Sequence, residues 1–228
     1  MSSRSSDTFV LNGWAACESA WDLCKFPRDR IFSYIEELDG AAESAVESSA
    51  GAVLVGWSMG ATMALSIAAR HPGRIRGLVL LAATPRMMKD EGWAGMSQRR
   101  LDALLVGLRL TRAQGFYGPQ EGRPNPYMMD SDENLQRGIG FLRTVDIRKD
   151  VEALAESGAL ECPVYIFQSE RDGIVSRENA LYLHEIFKGS SMELIPGTEH
   201  ALPVSIPEKI DEAVRRAWTL AGRRGEAD

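Results

Sequence analysis

The stretch Ala52-Val53-Leu54-Val55-Gly56-Trp57-Ser58-Met59-Gly60, continued by Ala61-Thr62-Met63-Ala64-Leu65-Ser66-Ile67-Ala68-Ala69-Arg70, decides the fold. Its first five residues are a short apolar run of the kind that fills a buried strand. The run from Ala61 to Arg70 has helical composition. His71-Pro72-Gly73 stops it, because proline lacks the N–H that a helix interior needs. Gly77-Leu78-Val79-Leu80-Leu81-Ala82-Ala83 is a second apolar run, closed by Thr84-Pro85. Strand, helix and strand within about 30 residues make a βαβ unit, which requires parallel strands.

Between the first strand and its helix lies Gly56-Trp57-Ser58-Met59-Gly60, a G-x-S-x-G. A serine on so sharp a turn needs strained backbone angles and close packing, and the flanking glycines supply the room. The helix that follows directs its free N–H groups and positive dipole end toward negative charge at the turn.

Working outward, Thr8-Phe9-Val10-Leu11 reads as a strand broken at Asn12-Gly13-Trp14. Residues 15–24 start a helix, 30–38 fit a strand or a short helix equally, and 41–49 read as helical. Residues 86–150 have a different texture, without long β-branched runs. Leu101, Leu104, Leu105 and Leu108 mark one amphipathic helix, and 115–126 is a Gly/Pro-rich loop. Helices are expected over 132–144 and 146–156. The parallel rhythm resumes with a strand at 163–168, a helix at 176–187, a strand at 191–195 and a helix at 206–220. The expected organisation is a tail at 1–7, an α/β core at 8–86 and 151–228, and a helical lid inserted at 87–150.

The chain has 228 residues and a formal charge of −6, with 44% hydrophobic and 25% charged residues, so a globular domain with its own core fits and a disordered or fibrous chain does not. An acidic balance argues against nucleic-acid binding. No apolar run is long enough to span a membrane, and the Ser-rich start lacks the apolar core of a secretory signal. A cytoplasmic protein is therefore expected. Cys17, Cys24 and Cys162 then read as reduced packing residues, and the scattered histidines offer no zinc spacing.

A serine hydroxyl is a weak nucleophile until a base takes its proton and a carboxylate orients that base. In sheets of this kind the chain order is Ser, Asp/Glu, His. His71 lies at a helix end and His184 within a helix, whereas His200 follows a strand, where open α/β sheets gather their catalytic groups. His200 is the expected base. Ser169-Glu170-Arg171-Asp172-Gly173 also follows a strand, and Asp172 is preferred there to Glu170. Glu199 reads as a solvated neighbour. The oxyanion donors expected are the Met59 N–H and the Trp14 N–H, with Gly13 letting the backbone approach.

These motifs resemble the α/β-hydrolase superfamily along nearly the whole chain. Within it, Gly13-Trp14, Gly56-Trp57-Ser58, Ala83-Thr84-Pro85 and Glu91-Gly92-Trp93-Ala94-Gly95-Met96 are most similar to the pimeloyl-acyl-carrier-protein methyl ester esterases of biotin synthesis. The resemblance implies a mostly parallel sheet of about six strands, the family's first two being absent, with helices on both faces and a helical lid. It implies a serine carboxylesterase that needs no metal or cofactor. Its substrate would be a small acyl ester, carried by an acidic carrier protein that lid arginines bind. Residues 97–148 hold eight arginines against six acids, while the rest of the chain holds 18 basic residues against 26 acids. Arg99, Arg100, Arg109, Arg112, Arg137 and Arg143 are the carrier-binding candidates. Gly60-Ala61 departs from the family's usual Gly-Gly. The alternatives are a general carboxylesterase or thioesterase, a lyase or perhydrolase on the same triad, and a catalytically silent acyl- or carrier-binding protein.

Overall fold

The computed structural model describes residues 7–111, 125–127, 130–197 and 199–225. Six strands, β1 (Asp7–Leu11), β2 (Arg30–Phe32), β3 (Ala52–Trp57), β4 (Ile75–Leu81), β5 (Val164–Ser169) and β6 (Ser191–Ile195), form one sheet in the order β2-β1-β3-β4-β5-β6. Every pairing is parallel. The chain steps outward from β1 to β2, then returns past β1 to β3 and continues the other way. Such a switch point opens a crevice at the carboxyl ends of the two strands. Leu11 is registered with Gly56, so the residues after β1 face those after β3.

Two glycines show how both faces of the sheet are covered. A Cβ on Gly56 would lie 2.6 Å from Cα of Ala61 in α3 (Met59–Arg70), and one on Gly77 would lie 2.5 Å from Cβ of Ala217 in α9 (Pro207–Gly225). Gly77 is registered with Val53, three residues from Gly56, and residues an odd number apart on a strand point to opposite faces. Helix α3 therefore packs on one face and α9 on the other. The strand residues between them, among them Val53, Leu54, Val55, Leu78 and Leu80, have no exposure.

Several elements differ in detail from the sequence reading. β1 begins at Asp7, whose N–H bonds to Gly51 O, so the sheet claims one residue of the expected tail. Residues 30–38 contain both readings, β2 and then α1 (Tyr34–Leu38), separated by a Ser33/Glu36 capping box that starts the helix. The helix expected over 15–24 is a single 3₁₀ turn, Glu18–Trp21, after Ala15 at φ 56°. Its Trp21 Nε1 donates to Asn12 Oδ1 at 2.6 Å, which anchors the chain just beyond β1. Helix α2 (Ala41–Ser48) follows as expected.

The insertion carries α4 (Gln98–Thr111) and α5 (Asp132–Thr144). Ile147 N–H bonds to Pro85 O at 3.0 Å and Arg86 pairs with Asp146 at 2.6 Å, so the segment leaves and returns through one closed neck. Helix α6 (Arg148–Ser157) lies beyond that neck and packs on α3. The insertion thus ends near Asp146 rather than at residue 150. Most of the expected 115–126 loop lies outside the described residues. Helix α7 (Arg177–Ile186) joins β5 to β6, and the short α8 (Leu202–Ser205) precedes α9. No described helix is long and apolar enough to cross a membrane. The three cysteines are free thiols, and burial pushes that of Cys24 up to about 12.

Candidate active site

Ser58 follows β3 and immediately precedes the first residue of α3. Its backbone sits at φ 56° and ψ −118°, which no β-carbon-bearing residue adopts without strain. Ala15 after β1 (φ 56°) and Ala82 after β4 (φ 47°) share this left-handed region, so all three such non-glycine residues described lie at the carboxyl edge of the sheet. Each costs on the order of 1–2 kcal/mol, an expense a fold bears where geometry matters. Gly60 permits the turn: a Cβ there would sit 2.1 Å from Leu11 O. A Cβ on Gly13 would sit 3.3 Å from Ser58 Cβ, which places the loop after β1 directly beside the serine.

The Ser58 side chain caps nothing in α3. Its hydroxyl instead meets His200 Nε2 at 3.0 Å. His200 Nδ1 meets Asp172 Oδ2 at 2.7 Å. The Asp172 side chain is fully buried and that of His200 is 6% exposed. Asp172 Oδ1 accepts from Ile174 N at 2.7 Å and Val175 N at 3.2 Å. Burial works to raise the Asp172 carboxyl, yet the neighbouring His200 and these donors hold it below the usual range. An ionised carboxylate here fixes the imidazole so that Nδ1 donates to Asp172 and Nε2 is left facing Ser58.

Three further contacts, absent from the sequence reading, hold this row in place. Trp57 Nε1 donates to His200 O at 2.9 Å, and the Trp57 ring lies 5.8 Å from the imidazole. Ser169 Oγ donates to Glu199 O, tying the end of β5 to the histidine loop. Gln168 Nε2 donates to Asp172 Oδ2 at 3.2 Å. A lone tryptophan, serine or glutamine within an apolar run carries no local signal of such a role. Glu199 is not simply solvated, since its carboxylate accepts from Ala201 N at 3.0 Å.

The other candidates sort cleanly. Glu170 is exposed and takes no part in the row. His71 Nε2 lies 2.7 Å from Glu43, and His184 Nδ1 bonds to Ser190 Oγ. Glu43, Glu47 and His71 come within metal-ligand reach of one another, but Arg70 already holds Glu43 through two bonds of 2.6 and 2.9 Å. The Met59 N–H, first in α3, has no intrahelical acceptor, and the Trp14 N–H has none among the described residues. Met59 directly follows Ser58, and Trp14 lies on the loop after β1 that runs beside it. The Trp14 indole N–H is buried without an acceptor and rests against Gly138 of α5.

A cavity of about 40 Å³ opens beside Ser58 and His200. Met87, Leu101, Leu104, Leu108, Leu142 and Val175 give it an apolar wall, and no carboxylate lines it among the described residues. The leucine stripe of α4 read from the sequence is its roof. Among the candidate arginines, Arg109 pairs with Asp132, Arg137 with Asp39 and Arg143 with Asp102. Arg99 and Arg100 form no ion pair with described residues, and the Arg100 guanidinium lies beside Gly173. Arg112 lies outside the described residues.

Comparison with known proteins agrees with this architecture. The chain is 26% identical over 241 residues to the pimeloyl-[acyl-carrier protein] methyl ester esterase of Sodalis glossinidius, covering 91% of each chain. It is 27% identical over 247 residues to that of Klebsiella pneumoniae, covering 93% of each. Its fold matches an esterase from Exiguobacterium antarcticum with a TM-score of 0.71 at 19% identity, covering 95% of this chain and 93% of that one. A bromoperoxidase from Bacillus anthracis matches with a TM-score of 0.68 at 17% identity, covering 94% and 92%. The sheet is thus that of the α/β hydrolases, and the serine aminopeptidase S33 model (Hydrolase_4) matches residues 28–204, so the chain belongs to that family.

Proposed function

We propose that the protein is a serine ester hydrolase in which Ser58, His200 and Asp172 form the catalytic row. The observation that carries this reading is the histidine bridging Ser58 at 3.0 Å and Asp172 at 2.7 Å, beneath an apolar cavity. Ser58 Oγ attacks the ester carbonyl carbon while His200 Nε2 takes its proton. The resulting oxyanion accepts from the Met59 and Trp14 N–H groups. Collapse expels the alcohol, protonated by His200, and leaves an acyl-Ser58 ester. Water repeats the sequence, with His200 as base, and releases the acid. Asp172 holds the imidazole tautomer and stabilises the imidazolium.

The family description names an aminopeptidase, which must bind a substrate ammonium group. Among the described residues the cavity offers no carboxylate to pair with one, and this favours an uncharged acyl group. The substrate supported best is the methyl ester of a pimeloyl group on an acyl carrier protein, the substrate in the names of the full-length relatives. The insertion serves as a lid over the acyl site. An acidic carrier would meet Arg99 and Arg100, which form no ion pair with described residues, Arg100 lying beside Gly173, and would compete with carboxylates for Arg109, Arg137 and Arg143. Arg112 remains a candidate of the same kind. Such charges steer association more than they add affinity.

An active-site serine probe should label Ser58, and Ser58→Ala should abolish both labelling and hydrolysis of short nitrophenyl esters. Retained activity would overturn the reading, and absence of labelling in folded protein would favour a silent binder. Rescue of a biotin auxotroph that lacks the methyl ester esterase tests the substrate. Product analysis over ester, thioester and peroxide substrates separates the rival chemistries. Arg99→Glu with Arg100→Glu should raise KM for the carrier-bound ester and leave a free methyl ester unaffected.

A further inference from the structure

Gln168 is the penultimate residue of β5 and has no exposure. Residues two apart on a strand share a face, so Gln168 stands beside Ile166, where an apolar side chain would fill the same space without polar cost. Its amide nitrogen has three acceptors in reach: Val175 O at 3.0 Å, Asp172 Oδ2 at 3.2 Å and Ser169 O at 3.3 Å. Its Oε1 is buried with no partner among the described residues. Turning the amide over would aim Oε1 at three oxygens, so the donors fix its orientation. A buried amide kept half-satisfied calls for an explanation beyond packing.

We infer that Gln168 is a positioning residue for the Asp172–His200 pair: its amide donates to the same carboxylate oxygen that holds the imidazole. A carboxylate offers about four acceptor sites. Ile174 N and Val175 N take Oδ1, and His200 and Gln168 take Oδ2. With all four occupied, the Asp172 carboxylate has no freedom to rotate away from His200. The bond to Val175 O also clasps the far end of the turn that carries Asp172 to the strand it left. The inference rests on the proposed role of the row.

The charged and titratable groups around Asp172 are His200 from the loop after β6, Arg100 from α4 beside Gly173, and Glu170, Arg171 and Glu199 on the adjoining turns. Gln168 is the neutral donor that sits between the carboxylate and the sheet. Removing it takes the positive end of an amide dipole away from the pair, which favours the imidazolium. The acid limb of the rate profile should therefore move to higher pH.

The test is Gln168→Met, close in volume and without a donor. We expect kcat to fall about 10- to 100-fold, in the range seen when outer hydrogen bonds that orient reacting groups are lost. KM should stay within about twofold, and the acid limb should shift upward. In an Asp172→Asn background the same substitution should cost nothing further, since it acts through the carboxylate. A kcat within twofold of the parent, an unmoved acid limb, or an equal loss in the Asp172→Asn background would each overturn the inference. Because a core variant can fail to fold, the unaltered protein gives a second reading. The Gln168 side-chain NH₂ resonances should titrate in step with the acid limb, and pH-invariant resonances would refute the role. If Ser58→Ala retains activity, the catalytic reading itself fails; if only Gln168→Met is silent, the positioning role alone does.

Discussion

At the carboxyl edge of the sheet, the Asp172 side chain is fully buried and that of His200 nearly so; His200 bonds to Asp172 at 2.7 Å and to Ser58 at 3.0 Å. Across the insertion, the pairs Arg109–Asp132, Arg137–Asp39 and Arg143–Asp102 have side chains 35–75% exposed. A buried ion pair that loses one partner strands a charge, whereas an exposed pair loses little more than water can restore. The contrast teaches where each property of the molecule is fixed. In the proposed reading, the strained turns and close-packed glycines of the sheet edge set the chemistry. The insertion, anchored at its neck by Arg86, Asp146 and Arg148, is in that reading the part that selects what enters.

The largest expected effect strikes the first region. His200→Ala should lower kcat by about 10⁴- to 10⁶-fold on a nitrophenyl ester, the scale on which serine hydrolases lose rate with their base. Burst kinetics would show acylation itself as the failed step. A loss below about 100-fold would mean that another group takes the Ser58 proton, and the sheet edge would lose its claim to the chemistry.

The sequence made the first region far more legible than the second. Gly56, Ser58 and Gly60 are forced by local sterics: a Cβ on Gly60 would collide with Leu11 O, so the pattern itself records the packing. Asp172 and His200 are legible as candidates because each follows a strand, and strand ends converge at the crevice. Gln168, Trp57 and Ser169 escaped notice because their partners lie in other segments and nothing in an apolar strand marks them. The capping box of Ser33 and Glu36 was available and would have settled the division between β2 and α1. The arginines of the insertion were visible as a charge excess. Their engagement with Asp39, Asp102 and Asp132 depends on how α4, α5 and the core meet, which composition does not encode.

Gly138 is where the two regions touch. A Cβ there would come within 2.4 Å of Trp14 Cδ1, and Trp14 carries one of the two proposed oxyanion donors. Gly138→Ala should therefore push the loop after β1 and cut kcat about tenfold, because small displacements of oriented groups are costly. An effect confined to KM would instead place the insertion wholly on the side of substrate entry.

Glu37 is another buried, unsatisfied group near the sheet edge. It lies beside Asn12, is 7% exposed, and neither carboxyl oxygen makes a hydrogen bond of good geometry with a described residue. Burial pushes its carboxyl well above the usual range, with a smaller opposing contribution from the Asn12 backbone. The folded protein then keeps a proton that the unfolded chain releases above about pH 4.3. Stability is full below that pH and falls as pH rises toward the folded value. Glu37→Gln should remove this slope, so that its gain in Tm over the parent widens from pH 4 to pH 8. A constant gap would mean that the carboxyl ionises alike in both states.

The smallest effect belongs to the insertion's surface. Arg143 meets Asp102 at 2.5 Å, joining α5 to α4, but the two side chains are 35% and 47% exposed. An exposed pair gains little Coulomb energy in water and orders two long side chains to do so, which leaves about 0–1 kcal/mol. Arg143→Ala should lower the unfolding free energy read from urea titration by no more than that, and added salt should erase part of the difference. The same weakness is what the proposed recognition by the insertion requires. An arginine held by so shallow an interaction can exchange Asp102 for a carboxylate on an approaching partner at almost no net cost. Asp172 cannot make such an exchange, because leaving His200 would strand its charge in the interior.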